Sequence, residues 1–371
     1  MTSGKKLLTL ATLVVAMVLP AQAQILVGQT AGFTGQVAAG VRETTDGALL
    51  YLDAVNARGG INGQKIELVS LDDKFDPKQA TENARKLMEE QGVVAMFLTR
   101  GTPHTQAIIP LLDKHGVPLV APSTGAIVLH RPVQKHIFNV RATYQREAEK
   151  AMTHLASLGV TRIALVSAND SFGDDGIAGA LRGLAASKLQ PVVQEKFDRA
   201  QPDFAPIVAK AAKAEVQAVL MVASGAAVVE ATNALRQAGS SAQIVTLSNN
   251  ASGGFIKSLG TNSRGVIVTQ VFPNERAMTF PLVKEAQELG RAKGIDALSP
   301  AMLEGFAGAK VLVEGLRRAG PKPTREKLQA ALEGLRKFDL GGLELNFSPD
   351  DHTGLDFADL SIIGPDGKFR R

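Results

Sequence analysis

Residues 93–126 read VVAMFLTRGTPHTQAIIPLLDKHGVPLVAPSTGA. The runs VVAMFL (93–98) and VPLV (117–120) are short and apolar, as buried strands are, and the residues near 104–114 between them read as a helix. Strand, helix and strand in that order make a parallel pair joined by a crossover. Both strands then deliver the loops that follow them, Arg100-Gly101-Thr102-Pro103 and Ser123-Thr124-Gly125-Ala126, to one carboxyl edge of a sheet, where open α/β sheets bind ligands. Hydroxyls, free backbone N–H groups and the positive end of a helix dipole converge there. A small carboxylate suits that cradle. Ser, Thr and Gly also favour plain turns, and Arg100 either reads a second carboxylate or points to solvent.

Working outward, the same alternation repeats along the chain. QILVG (24–28) reads as a strand, Gly47 to Ala57 continues a helix, and Gly59-Gly60-Ile61-Asn62-Gly63 is a turn. KIELVSL (65–71) alternates as a strand, and Asp76-Pro77 is an N-cap with proline at the first helical position of a helix running to about Gln91. IFNVR (137–141) closes this half. From about residue 145 the scheme starts again, with Ala148, Ala151, Met152 and Leu155 forming a helical stripe before the strand RIALVSA. VVQEKF, VQAVLMV, QIVTL and GVIVTQV follow as strands, with helices near 175–187, 203–214, 226–238 and 252–259. Three helices near 279–293, 299–318 and 323–336 then precede a strand-rich tail, Leu340 to Ile363. The expected class is α/β, with two doubly wound parallel-sheet lobes.

At the N-terminus, Lys5 and Lys6 precede an apolar stretch from Leu7 to Pro20, and Ala21-Gln22-Ala23 supplies a cleavage site before Gln24. Residues 1–23 therefore read as a secretory signal peptide, too short in its apolar part to anchor the chain. The chain has no cysteine, which rules out disulfides, thiol catalysis, thiolate metal sites and a lipid anchor on cysteine. A hydrophobic content of 45% over 371 residues is enough for a core without such staples. The formal charge of +5 falls to +3 once Lys5 and Lys6 are removed, and with no Trp and two Tyr a nucleic-acid surface has little support.

These segments resemble the periplasmic substrate-binding proteins of ABC transporters, of the branched-chain amino acid (leucine/isoleucine/valine) type. The residues that carry the resemblance are Gly28 with Thr34-Gly35, AVNARGGINGQKIEL, Asp72-Asp73 with Asp76-Pro77, GTPHTQAIIPLL, GVPLVAPSTGA, Phe138-Asn139-Val140-Arg141 and Asn169-Asp170-Ser171-Phe172-Gly173. The resemblance implies the type I, Venus-flytrap architecture, two lobes joined by three crossovers near Tyr144, Phe272 and Gly341. One lobe would comprise residues 24–143 plus 273–340, the other 144–272 plus 341–371. It also implies that Thr102, Ser123 and Gly125, with Thr124 between them, hold the ligand carboxylate, and that Phe172 covers the ligand. Ser224 stands where the family has an aromatic residue. Ser248 stands where it has an acid that pairs with an α-ammonium, so an amino acid ligand would need Asp170 or Asp174 instead.

The remaining chemistry-bearing residues read as structural. His104 and His115 are expected on a solvated helix and at its end, Asp72 and Asp73 as caps, and Arg141 in a structural pairing. Asp170, Asp174 and Asp175 lack the full calcium-loop pattern. No G-x-S-x-G elbow, phosphate loop or dinucleotide fingerprint occurs in the expected places. The expected function is a monomeric, periplasmic, non-enzymatic receptor that carries a small carboxylate-bearing solute to an ABC permease, with no cofactor or metal. The alternatives are a sensing module for a membrane kinase and a secreted hydrolase.

Overall fold

The computed structural model describes residues 24–371, so the signal-peptide reading of residues 1–23 lies outside the described residues. Five parallel strands form the first sheet: β1 (Ile25–Ala31), β2 (Ile66–Asp72), β3 (Ala95–Phe97), β4 (Leu119–Val120) and β5 (Ile137–Phe138). Their spatial order is β2-β1-β3-β4-β5, the doubly wound arrangement. Crossovers between them carry α1 (Ala38–Ala57), α2 (Pro77–Arg85) and α3 (Thr102–His115). Asp76 caps α2 through Lys78 N and Gln79 N, and a π-helical turn, Lys86–Glu90, extends it to the expected end. α1 begins well before Gly47. Gly40, Thr44, Thr45 and Gly47 are weak helix formers, and all four are buried where packing overrides propensity.

The second lobe repeats the order. Strands β6 (Ile163–Ala168), β7 (Val193–Phe197), β8 (Ala218–Val222), β9 (Gln243–Thr246) and β10 (Ile267–Gln270) lie as β7-β6-β8-β9-β10. The helices of this lobe are α4 (Tyr144–Ser157), α5 (Ser171–Ala186), α6 (Ala205–Lys213), α7 (Gly225–Gln237) and α8 (Gly253–Leu259). After β10 come α9 (Pro281–Ala292), α10 (Pro300–Arg318) and α11 (Arg325–Glu333). Their apolar faces, Leu282, Phe306, Leu312 and Leu328 among them, join Val27, Phe97 and Phe138 in the core of the first lobe. Each such fully buried side chain contributes about 1.5–3 kcal/mol. This return explains the change of pattern in the last quarter of the sequence.

The third connection differs from the expected one near Gly341. A hairpin of β11 (Phe338–Asp339) and β12 (Glu344–Leu345) stays with the first lobe, because Leu340, Leu345, Phe347 and Leu355 are buried in its core. The backbone of Asn139 also leaves the sheet direction to pair with Thr353, its N–H donating to His352 O at 2.9 Å. The chain enters the second lobe only at β13 (Asp359–Ile363), antiparallel to β10, with β14 (Phe369–Arg370) beside it.

Candidate functional site

Beyond β3 and β4 the two hydroxyl-rich loops continue side by side, with Arg100 and Ser123 in a parallel bridge and Ser123 N donating to Thr99 O at 2.8 Å. Gly101 makes the corner into α3. Its φ is +93°, and a Cβ there would stand 2.6 Å from His104 Nδ1 and 2.9 Å from the Phe75 ring, so only glycine fits. The corner buries the Thr102 side chain, whose hydroxyl lies 2.8 Å from that of Thr124. Ser123 Oγ accepts from Arg100 Nη1 at 2.9 Å, while Arg100 Nη2 donates across the lobe interface to Asn249 O at 2.5 Å.

Arg100, Gly101, Thr102, Phe172 and Ser224 share the wall of one small inner cavity between the lobes, of about 20 Å³. Ser123 and Thr124 stand behind it, holding Arg100 and Thr102. Gly125 is not on the wall. Its carbonyl accepts from Tyr144 N at 2.7 Å, and a Cβ would meet Ala142 O at 2.6 Å, so it lets the loop pack on the first interlobe connection. Ser224 caps the cavity from the second lobe and donates to Gln36 Oε1 of the first at 3.0 Å.

Ser248 is not on the wall either. Its hydroxyl accepts from Arg141 Nη2 at 2.7 Å, and its backbone N–H donates to Glu147 Oε2 at 2.9 Å. Glu147 also takes Arg141 and Thr269 as donors, and Glu304 lies 3.6 Å from Arg141 Nη1. Burial alone would lower the Arg141 pKa, but the Glu147 and Glu304 carboxylates reverse that and hold the guanidinium charged. The acid nearest position 248 is thus Glu147, already spent on a buried pair. Asp170 caps α5 and accepts from Arg199 Nε and Nη2 at 2.8 and 2.6 Å, while Asp174 pairs at the surface with Lys196. Neither is left as a counter-charge for an ammonium.

Sequence reasoning passed over Val37, Phe75, Tyr144, Arg199 and Asn249, which also line the wall. The Arg199 guanidinium lies over the rings of Phe75 (5.3 Å) and Phe172 (5.9 Å), one from each lobe, and Tyr144 meets Phe172 edge to face at 4.9 Å. Phe75 follows Lys74, and both have positive φ, a loop conformation the sequence does not signal. His104 is buried and stacked on Phe75 at 4.2 Å rather than solvated, and burial lowers its pKa. It faces away from water because α3 turns that side toward the 72–76 loop.

Among the described residues the cavity wall holds two guanidinium groups and no carboxylate. Arg100 is 6% exposed and has no acidic partner among them. A buried cation without a counter-ion is costly unless an anion arrives.

A model of the periplasmic binding protein family matches residues 24–357. A Leu/Ile/Val-binding protein of Rhizobium johnstonii is 28% identical over 321 residues, covering 84% of this chain and 84% of that one. The crystal structure of a substrate-binding periplasmic protein from Ralstonia solanacearum is 34% identical, with a TM-score of 0.86 over 93% of this chain and 99% of that one. An extracellular ligand-binding receptor from Verminephrobacter eiseniae is 28% identical with a TM-score of 0.83, over 94% of this chain and all (100%) of that one.

Proposed function

This chain belongs to the periplasmic binding protein family, and on that premise we propose that it captures a small carboxylate lacking a free α-ammonium and hands it to an ABC importer. The chain is exported, loses residues 1–23 and works in the periplasm as a monomer. One observation carries the choice of ligand: the buried, acid-free Arg100 guanidinium on the cavity wall. The carboxylate replaces the missing counter-ion there. Thr102 and the N-terminus of α3 supply hydrogen bonds, each roughly 1.5–3 kcal/mol when the acceptor is charged. An α-amino acid would bring an ammonium into the same wall with no acid to receive it, and burying it unpaired costs several kcal/mol. Branched-chain amino acid binding by a relative supports the carboxylate half of this reading, and the missing wall acid argues against the amine half.

Titration calorimetry with 4-methylpentanoate, its amide and leucine tests the reading, since the three share one carbon frame. The acid is expected to bind at least tenfold more tightly than leucine, and Arg100→Gln to weaken the acid by a similar factor while the protein stays folded. Leucine binding as tight as the acid, or an acid indifferent to Arg100→Gln, refutes it.

A further inference from the structure

Of the three aspartates at the start of α5, Asp170 and Asp174 are spent on Arg199 and Lys196, while Asp175 is buried and lies off the cavity wall. Its Oδ1 accepts from Gln145 Nε2 at 2.7 Å and from Ile127 N at 3.1 Å. Gln145 belongs to α4 of the same lobe, and Arg182 Nη1 fixes its amide by donating to Gln145 Oε1 at 2.6 Å. Ile127 comes from the other lobe. It follows the loop Ser123-Thr124-Gly125-Ala126, between β4 and β5.

That loop carries the contacts behind the cavity wall, Ser123 on Arg100 and Thr124 on Thr102. One end of it rises from β4. The other is carried into the second lobe, where Ala126 joins a core with Tyr144, Phe172 and Ile177, and Asp175 takes the next backbone N–H along. A second-lobe carboxyl thus fixes the far end of the first-lobe loop, and it does so while the lobes are together.

We infer that Asp175 is a positioning residue that couples lobe closure to the ligand loop and makes that coupling proton-dependent. The inference rests on the carboxylate reading of Arg100 and adds a residue outside the cavity. Oδ2 of Asp175 is buried with no hydrogen-bond partner among the described residues, so an ionised carboxylate is poorly served there. Burial is the main cause that raises its pKa from 3.8 to about 6; Gln145, Ile127 and Arg182 oppose the rise, and Glu147 on α4 adds to it. Of the other elements around it, residues 126–129 and strands β6 and β8 carry no titratable side chain, and α3 meets α5 through Gln106 on Ser171. Separation of the lobes withdraws Ile127 and admits water, which returns the carboxyl toward its ordinary value. The closed form therefore holds the proton more tightly, and affinity rises as pH falls through about 6.

Calorimetry with 4-methylpentanoate at pH 5.5 and 8.0 on the mature protein, Asp175→Asn and Asp175→Ala tests it. Asparagine keeps the Oδ1 acceptor and does not titrate, so dividing the parent's affinity by that of Asp175→Asn at each pH removes the titration of the ligand and of other groups. This ratio is expected to be about threefold higher at pH 5.5 than at pH 8.0. A merely structural role leaves it constant. Asp175→Ala loses the acceptor and is expected to bind at least fivefold more weakly than the parent at both pH values, while Asp175→Asn stays within twofold of the parent at pH 5.5. A ratio that is the same at both pH values, or Asp175→Ala binding as tightly as the parent, overturns the role of Asp175 and leaves the carboxylate reading intact. Should Asp175→Ala fail to fold, the ratio for Asp175→Asn decides. Failure of the parent to bind the acid at either pH overturns both.

Discussion

Asp73 shows what one buried side chain does to stability. Its carboxyl is fully enclosed, accepting from Thr30 Oγ1 at 3.1 Å and from Phe75 N at 2.9 Å. Burial is the main cause that raises its pKa from 3.8 to about 6, with Asp72 and Asp76 adding repulsion. An acid whose folded pKa is raised favours the folded state while protonated, so its contribution is complete below about pH 4 and is lost as pH rises to about 6. The loss amounts to about 3 kcal/mol. Asp73→Asn is therefore expected to raise the melting temperature at pH 7.5 by several degrees and to make little difference at pH 4. A variant less stable than the parent at both pH values would show that the ionised carboxylate is a net asset to the Phe75 loop. The same scale explains the unusual serine at 248. Glu147 and Arg141, both buried, occupy the space behind it, so the residue serves a structural ion pair and not the cavity.

Contacts between whole elements join the two lobes, and the clearest links α1 to α8. The Glu43 carboxylate on α1 accepts from Gly253 N at 2.9 Å and Gly254 N at 2.8 Å, so a first-lobe acid caps a second-lobe helix. Ser252 caps the same helix locally through Phe255 N. Because Glu43 is half-buried, the latch is worth about 1 kcal/mol rather than the full value of two charged hydrogen bonds. Glu43→Gln is expected to weaken 4-methylpentanoate binding about fivefold by depopulating the closed form. Affinity unchanged within error would mean that the latch has no part in closure. α2 is readable from its Asp76-Pro77 start, and α3 from its place between the apolar runs VVAMFL and VPLV. The first ten residues of α1 are not, because Gly40, Thr44, Thr45 and Gly47 become helical only when packed.

Across the whole molecule, the lobes meet through Arg100 with Asn249, Ser224 with Gln36, Ser171 with Gln106 and Ala301 with Ala251. With the Glu43 contacts to Gly253 and Gly254 these join two separately packed cores, and among the described residues three backbone connections link the lobes, an architecture that allows a hinge motion. Small-angle scattering is expected to give a smaller radius of gyration with saturating 4-methylpentanoate than without it. An identical radius in both states would leave the protein without a ligand-driven closure. The sequence by itself determined the alternation of strands and helices, the doubly wound class and the pairing of two hydroxyl-rich loops at one sheet edge. Those follow from local periodicity, capping and short crossovers, which act over a few residues. Tertiary structure alone decided that the tail stays with the first lobe as far as Leu355, that Ser248 serves Arg141 and Glu147, and that Phe75, Tyr144, Arg199 and Asn249 face the inner cavity between the lobes. Arg100 and Asn249 are 149 residues apart in the chain. No local pattern encodes such a meeting, because it exists only once two separately packed cores are set against each other.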